Sequence, residues 1–426
     1  MTGSDTEQRR TARGRRRAAA LAGVLLAATL SGCSRPPDLV LVTFDTLRRD
    51  HVGAHRAPGA GPSPTPHLDA LAARGRTFEG ALTTMPTTSP AHASIFTGLH
   101  PRDHGVLRNG DRVPEALAAE RSLPQQLRRA GYRVGAFVTT NVFGGAMGLS
   151  GFEPFDDAGT PLRPGADAVA AALRWLDESG RDPVFLWLHL YDPHSPYGPA
   201  AAKPEHYPVD LGRYGWVEPR HYADPAARAA MAALYAEGAR EADAALGALV
   251  EGFAARGRAP YWIATADHGE FLDEHLDALG FAYGHGSLLG PEVLDVPLVV
   301  AGPGIARARV PGAVSLVDVY TTLLALAGVG DPRAAAEGRI DLRGEPPSGR
   351  VVTAARRFFT PEDRQKKRIT EAAARAIRAR AVAASDGGAL VVVGEDGAPA
   401  DAARAPALAD AAAHALAAQR RGEEGR

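Results

Sequence analysis

Cysteine is almost missing from this chain: among 426 residues there is one, Cys33. A single thiol excludes an intrachain disulfide and any metal site built on several thiolates. Excess charge of either sign is missing too. The 48 Lys and Arg against 49 Asp and Glu leave a formal net charge of −1, with no global field arguing for nucleic acid. Long hydrophobic runs are scarce. Ala18 to Leu30 is apolar for thirteen residues, too short to span a bilayer comfortably, and no later segment reads as a transmembrane helix. There is no internal repeat and no long basic tract in the core. What remains is 45% hydrophobic and 23% charged, enough for one large α/β domain with a small appendage.

The position of Cys33 carries information. Arg9, Arg10, Arg13, Arg15, Arg16 and Arg17 form a basic start, the apolar run follows, and Leu30-Ser31-Gly32-Cys33 closes it with small residues. The pattern resembles a bacterial lipoprotein signal, with Cys33 acylated and the protein held at the cell envelope on its periplasmic or extracellular face. The alternatives are a plain signal peptide or a short anchor. The expected organisation is a signal over 1–33, a tether over 34–37, a catalytic domain over 38–330 and a helical, short-stranded appendage over 331–426 with a frayed tail.

From Asp38 apolar runs alternate with helical patterns. Strands are expected at Asp38 to Phe44, Tyr132 to Val138, Pro183 to Leu190, Pro260 to Ala266 and Val296 to Ala301. Helices are expected at Thr65 to Arg74, Pro90 to Phe96, Pro114 to Ala130, Ala166 to Ser179, Pro225 to Arg256 and Ser315 to Ala327. Asp224 is placed as the cap of the long one. In the appendage, Glu362 to Ala384 reads as a basic helix and Ala389 to Val393 as a short strand. The alternation predicts an α/β fold with a mostly parallel sheet and helices on both faces.

In such a sheet ligands collect outside the carboxyl ends of the strands. Asp45 follows the first apolar run, Asp192 and His194 the third, Asp267 and His268 the fourth. Carboxylates and imidazoles without thiolate suit Ca²⁺, Mg²⁺, Mn²⁺ or Zn²⁺. A lone Asp after a strand is ordinarily a cap or turn former; three strands ending this way point further. Thr87-Thr88-Ser89-Pro90 opens a helix, with Ser89 read as N-cap and Pro90 as first helical residue. A hydroxyl there faces free N–H groups and the positive end of the helix dipole, where an anionic ester would be held.

Together these segments resemble the sulfatase branch of the alkaline phosphatase superfamily. Phe44-Asp45-Thr46-Leu47-Arg48 resembles its opening metal motif, and Thr88-Ser89-Pro90-Ala91-His92 through Thr97-Gly98 its signature. Tyr191-Asp192-Pro193-His194 resembles its middle motif, Asp267-His268-Gly269-Glu270 its second metal motif, and Gly284-His285-Gly286 the histidine that follows. The resemblance spans about Asp38 to Gly328. It implies a three-layer sandwich and a metal-dependent ester hydrolase. Asp45, Asp267, His268 and Thr88 would contact one divalent cation. Thr88 would be the nucleophile, and His92, His194 and His285 would serve the ester oxygens or the leaving group. Two-metal relatives would add a second ion at Asp192, His194 and His285.

Departures accompany the likeness. A Thr at position 88 cannot be oxidised to the formylglycine aldehyde that sulfatases make from Cys or Ser. His92 replaces the signature arginine, Ala91 its serine, Thr46 the second aspartate, and Thr139 lies near a missing lysine. Sulfate and phosphate esters, small or glycan-borne, therefore both stand as substrates. The alternatives are a phosphodiesterase or phosphotransferase acting on the envelope, and a non-catalytic lipoprotein binding an anionic glycan. The expected partners are the substrate and, through the lipid, a membrane, without nucleic acid; the oligomeric state is unassigned. Among the other histidines, His189 is the best placed to support the metal ligands, His104 is expected to order the loop after the signature helix, and Asp50 to brace the Asp45 loop.

Overall fold

The computed structural model describes residues 35–157, 159–160, 162–199, 224–280, 282–356, 381–394 and 406–424. Cys33, the basic start and the apolar run lie outside the described residues, as does most of Glu362 to Ala384.

The first strand, β1 (Leu39–Phe44), is buried along its whole length because it is central in the sheet. It pairs in parallel with β5 (Val184–Leu190) on one side and β6 (Tyr261–Ala266) on the other. Beyond β5 lie β3 (Arg133–Val138) and the short β4 (Phe155–Asp156). Beyond β6 lie β7 (Leu298–Ala301), β2 (Arg76–Leu82) and β8 (Ala308–Ser315), giving the order β4-β3-β5-β1-β6-β7-β2-β8. Only β7 runs antiparallel to its neighbours, so the expected mostly parallel sheet is what forms. β2 and β8 escape sequence reading because Glu79-Gly80 and Pro311-Gly312 interrupt their apolar pattern, and a register shift follows Phe78.

Alternation along β5 separates the two faces. Trp187 and His189 point toward the signature helix α2 (Thr88–Thr97), the indole meeting Phe96 at 4.7 Å and His92 at 5.2 Å. Leu190 points to the opposite face, against Gly165 and Ala245. There α1 (Pro66–Ala72), α5 (Gly165–Glu178) and the long α6 (Pro225–Ala255) pack together. On the signature face, α2 packs with α3 (Glu115–Arg121), α4 (Leu123–Arg129) and α7 (Val317–Leu326). The single helix expected over Pro114 to Ala130 is two, broken at Ser122 (ψ 107°), because Pro124 cannot bond back to the preceding turn.

The carboxyl-terminal strands β9 (Val352–Ala355), β10 (Ala381–Ser385) and β11 (Leu390–Gly394) form their own antiparallel sheet. Val382 and Ala384 face Leu408, Ala412 and Leu416 of α8 (Pro406–Glu424). Ala383 faces Leu82, Phe271 and Leu294 of the main body. This period of two corrects the helix expected to run to Ala384. No described helix is long and apolar enough to cross a membrane.

Candidate active site

Because β1 lies between β5 and β6, the residues following the three strands emerge side by side. Phe44 is in register with both Leu190 and Ala266. The Asp45 amide donates to the Leu190 carbonyl at 2.8 Å and the Asp267 amide to that of Phe44 at 3.2 Å. Sheet register thus makes the backbones of the two aspartates neighbours, and both side chains are fully buried.

His268 completes the group. Ligand atoms of Asp45, Asp267 and His268 lie within 4.8 Å of one another, the only such group of three among the described residues. The Nδ1 of His268 donates to the Gly269 carbonyl at 2.9 Å, which fixes the tautomer and leaves the Nε2 lone pair facing inward. That Nε2 is 3.5 Å from Asp267 Oδ2 and 3.9 Å from Asp45 Oδ1. All three of these atoms are buried without a hydrogen-bond partner. Three orphaned, electron-rich buried atoms facing one another are costly unless a cation joins them, and two oxygens with one imidazole nitrogen fit a hard or borderline divalent ion. Among the described residues no arginine or lysine reaches either carboxylate. Burial, and then the charge of Asp45, push the Asp267 carboxyl well above its ordinary range. Burial lowers His268 to about 3, so the imidazole is neutral.

Thr88 stands beside this group. Thr87, extended at φ −156° and ψ 133°, is the N-cap, and Thr88 is the first residue of α2. This corrects the expected start at Ser89. Pro90 sits at the third helical position, where its missing N–H is one the helix could not pair anyway. The Ser89 amide instead donates to Asn109 Oδ1 at 2.9 Å. The Thr88 hydroxyl donates to Asp45 Oδ2 at 3.3 Å.

Two further expected histidines join in a row. His285 lies 4.4 Å from His268 between ring centroids, and His194 lies 5.1 Å from His285. His285 Nδ1 is 3.4 Å from Glu270 Oε2, and His194 is stacked on Tyr191 at 4.1 Å. Asp192 is not brought to them. Its Oδ1 accepts from the Gly165 amide at 3.1 Å, at the first residue of α5. A carboxylate there complements the unpaired amides and the dipole. Among the described residues the ligand atoms of Asp192, His194 and His285 do not all lie within 4.8 Å of one another, so the expected second ion site is not assembled. His92, placed by sequence against the ester, is fully buried with its Nδ1 donating to the Thr88 carbonyl at 2.8 Å. Burial first, and the neighbouring His189, hold it well below the ordinary imidazole range. A neutral ring stands where the signature has a cation. Thr139 does not replace the missing lysine: its hydroxyl donates to the His189 carbonyl at 3.1 Å and accepts from the Tyr191 amide at 2.6 Å.

Sequence reading missed the brace beneath the site. Thr46 sits at φ +59°, a left-handed conformation that β-branched residues rarely adopt. Its amide donates to Asp267 Oδ1 at 3.3 Å, and its carbonyl accepts the Tyr235 hydroxyl, from α6, at 2.7 Å. The same phenol accepts from the Arg48 amide at 2.9 Å. Nothing local marks Tyr235 in an alanine-rich helix; only the fold brings it there. Asp50 grips Arg48 through Nε at 2.9 Å and Nη2 at 2.7 Å, as expected of a loop brace. His104 accepts from the Val106 amide at 3.1 Å and lies 3.0 Å from Ser94 Oγ, ordering the loop after α2.

Fold and site define an α/β protein of the alkaline phosphatase type, with an acidic and imidazole cluster beside an alcohol at the carboxyl edge of a parallel sheet. The sulfatase family profile matches residues 37–329, and the chain belongs to the sulfatase family. It is 29% identical over 293 residues to human N-sulphoglucosamine sulphohydrolase, covering 61% of this chain and 55% of that protein's length. A Delta 4,5-hexuronate-2-O-sulfatase of Bacteroides thetaiotaomicron is 24% identical, covering 76% of this chain and 75% of its own. The solved phosphonate monoester hydrolase of Silicibacter pomeroyi superposes with a TM-score of 0.63 at 18% identity, covering 91% of this chain and 96% of that one.

Proposed function

We propose that the protein hydrolyses sulfate or phosphate esters with Thr88 as nucleophile and one divalent cation held by Asp45, Asp267 and His268. The observation that carries this reading is the set of three orphaned inward-facing atoms with the Thr88 hydroxyl on one of the same carboxylates. The bound cation would lower the barrier to deprotonating an adjacent alcohol and draw negative charge from the ester. The Thr88 hydroxyl gives its proton to Asp45 Oδ2, to which it already donates, and its oxygen attacks the sulfur or phosphorus in line. The new O–S or O–P bond forms as the ester oxygen departs, and that oxygen takes a proton from the row of His285 and His194. Water then cleaves the threonine ester. The start of α2, where Thr88 sits, turns the positive end of the helix dipole toward the growing charge. His92 serves by holding Thr88 from behind.

Glycan sulfates are the substrate class that the sulfatase relatives suggest. Phosphate and phosphonate esters remain in view because a threonine makes no aldehyde and no arginine or lysine of the described residues meets the cluster. The envelope address and Cys33 lipid anchor are proposed with this activity, as is the catalytic segment 38–330. The test is Thr88→Ala on a panel of p-nitrophenyl sulfate, phosphate and phosphodiester. Turnover should fall by about 10³-fold or more while Mn²⁺ stays bound. Unchanged turnover would refute the nucleophile, and a parent protein that binds Mn²⁺ yet cleaves nothing would favour a binding lipoprotein.

A further inference from the structure

Tyr191 is the outermost member of a row of rings at the carboxyl edge of the sheet. The row begins at His268, fully buried among the three orphaned atoms. His285 follows at 4.4 Å with a side chain 17% exposed, then His194 at 5.1 Å and Tyr191 at a further 4.1 Å, both half-buried. Tyr191 directly follows β5, His268 comes two residues after β6, and β1 with Asp45 at its end lies between those strands. The row therefore crosses from one strand end to the other past Asp45, and its rings wall the space beside the ligand cluster. Exposure rises along the wall toward Tyr191.

Tyr191 is held in three ways. Its amide donates to Thr139 Oγ1 at 2.6 Å, just beyond β3. Its ring lies on that of His194, 17° from parallel. The Ser195 carbonyl takes the His194 Nδ1 proton at 2.5 Å, so the neutral imidazole accepts the Tyr191 hydroxyl at Nε2, 3.1 Å away. Backbone, ring and hydroxyl are thus fixed before anything binds, and little side-chain freedom is lost when a ligand meets the ring.

We propose that Tyr191 forms a leaving-group subsite, its ring packing against the C–H face of a pyranose whose sulfate or phosphate ester lies at the cation. The inference rests on the hydrolase reading for the position of the ester, and it narrows the substrate class to ring-bearing alcohols. A pyranose presents C–H groups on one face, and an aromatic face whose hydroxyl is already bonded offers them an apolar, electron-rich surface. A methyl ester has no such face to present. The phenol is spent on His194, so Tyr191 acts on affinity for the sugar and not on affinity for the anion.

The experiment titrates two esters of equal charge, glucose 6-sulfate and methyl sulfate, into the full chain by calorimetry, and repeats the pair with the phosphates; whichever pair binds decides. Mn²⁺ is bound, and Thr88→Ala keeps each ester intact. The glucose ester should bind about 3- to 10-fold more tightly than the methyl ester. Tyr191→Ala should bring the two to within about 2-fold of each other and leave the methyl ester within about 3-fold of its former affinity. Tyr191→Phe keeps the ring and loses only the bond to His194, so the preference should stay within about 2-fold of its former value. If Tyr191→Ala does not fold, Tyr191→Leu takes its place. No preference in the Tyr191 protein, a preference that survives loss of the ring, or one lost in Tyr191→Phe would overturn the assignment. So would an equal fall of both esters in Tyr191→Ala, which marks mere support of His194, and so would binding of neither pair. The hydrolase reading fails separately: the parent with Thr88 then binds the esters and cleaves none, and the calorimetric ratio still judges Tyr191.

Discussion

Replacing Tyr235 with phenylalanine removes one oxygen, 189 positions along the chain from the residue it holds. The ring keeps its edge contacts with Tyr197 at 5.4 Å and His51 at 4.8 Å, so no cavity opens. Burial pushes this phenol well above its ordinary pKa, so in the parent it is a donor at every working pH. In the variant the Thr46 carbonyl and the Arg48 amide, both buried, lose their partner together. Each such loss costs about 1–3 kcal/mol, and local relaxation brings the sum to about 2–4 kcal/mol. Thr46 also stores about 1–3 kcal/mol at its positive φ, and without the phenol only its bond to Asp267 opposes relaxation. A relaxed Thr46 draws Asp45 out of line, and the cation must then drive the loop back. The expected result is a lower Tm in calorimetry without metal and a Mn²⁺ affinity reduced by about 10-fold for each 1.4 kcal/mol. A Tyr235→Phe protein with parental Tm and parental Mn²⁺ affinity would refute the brace.

Other outcomes follow from the same geometry. Asp267→Asn removes a buried carboxyl whose ionised form burial and Asp45 disfavour, so the cation-free protein should be as stable as the parent or more so, while Mn²⁺ affinity falls by about 100-fold or more; thermal scans with and without Mn²⁺ check both. Raising the Asp267 carboxyl pKa means that the cation-free fold binds this proton more tightly than the unfolded chain does. Cation binding must release the proton, so Mn²⁺ affinity should rise with pH from the ordinary carboxylate range upward through the raised value, by up to about tenfold per pH unit; a flat profile in calorimetry contradicts it. His189 and His268, both held near 3, stay neutral in the fold and protonate when it opens. Their contribution is therefore lost as pH falls below about 6.5, by up to about 1.4 kcal/mol per pH unit for each, which urea unfolding between pH 7 and 5 will read. His285→Gln should slow esters with basic leaving groups far more than p-nitrophenyl esters, because only the former need the proton; equal loss on both refutes that role.

The central strands and the residues after them were legible because a buried parallel strand writes a continuous apolar run, and ligands gather where such runs end. Asp45, Asp267 and His268 follow from that rule and from register. Asp192 obeys the same rule and is spent on a helix start, because a carboxylate two residues past a strand has both choices and only packing decides. His92 lies deeper than its place in the signature suggests, for a related reason. Sequence assigns it to the signature arginine's place, while its shorter ring turns back toward Thr43. β2 and β8, interrupted by glycine and proline, and Tyr235, a lone phenol on an alanine-rich helix, depend on distant partners that no local pattern encodes.

The most direct test is a crystal of the full chain equilibrated with Mn²⁺ and measured at the manganese absorption edge. The account predicts one strong anomalous peak, bounded by Asp45 Oδ1, Asp267 Oδ2 and His268 Nε2 with the Thr88 hydroxyl alongside. A map with no peak there, or with its principal peak at Asp192, would contradict it.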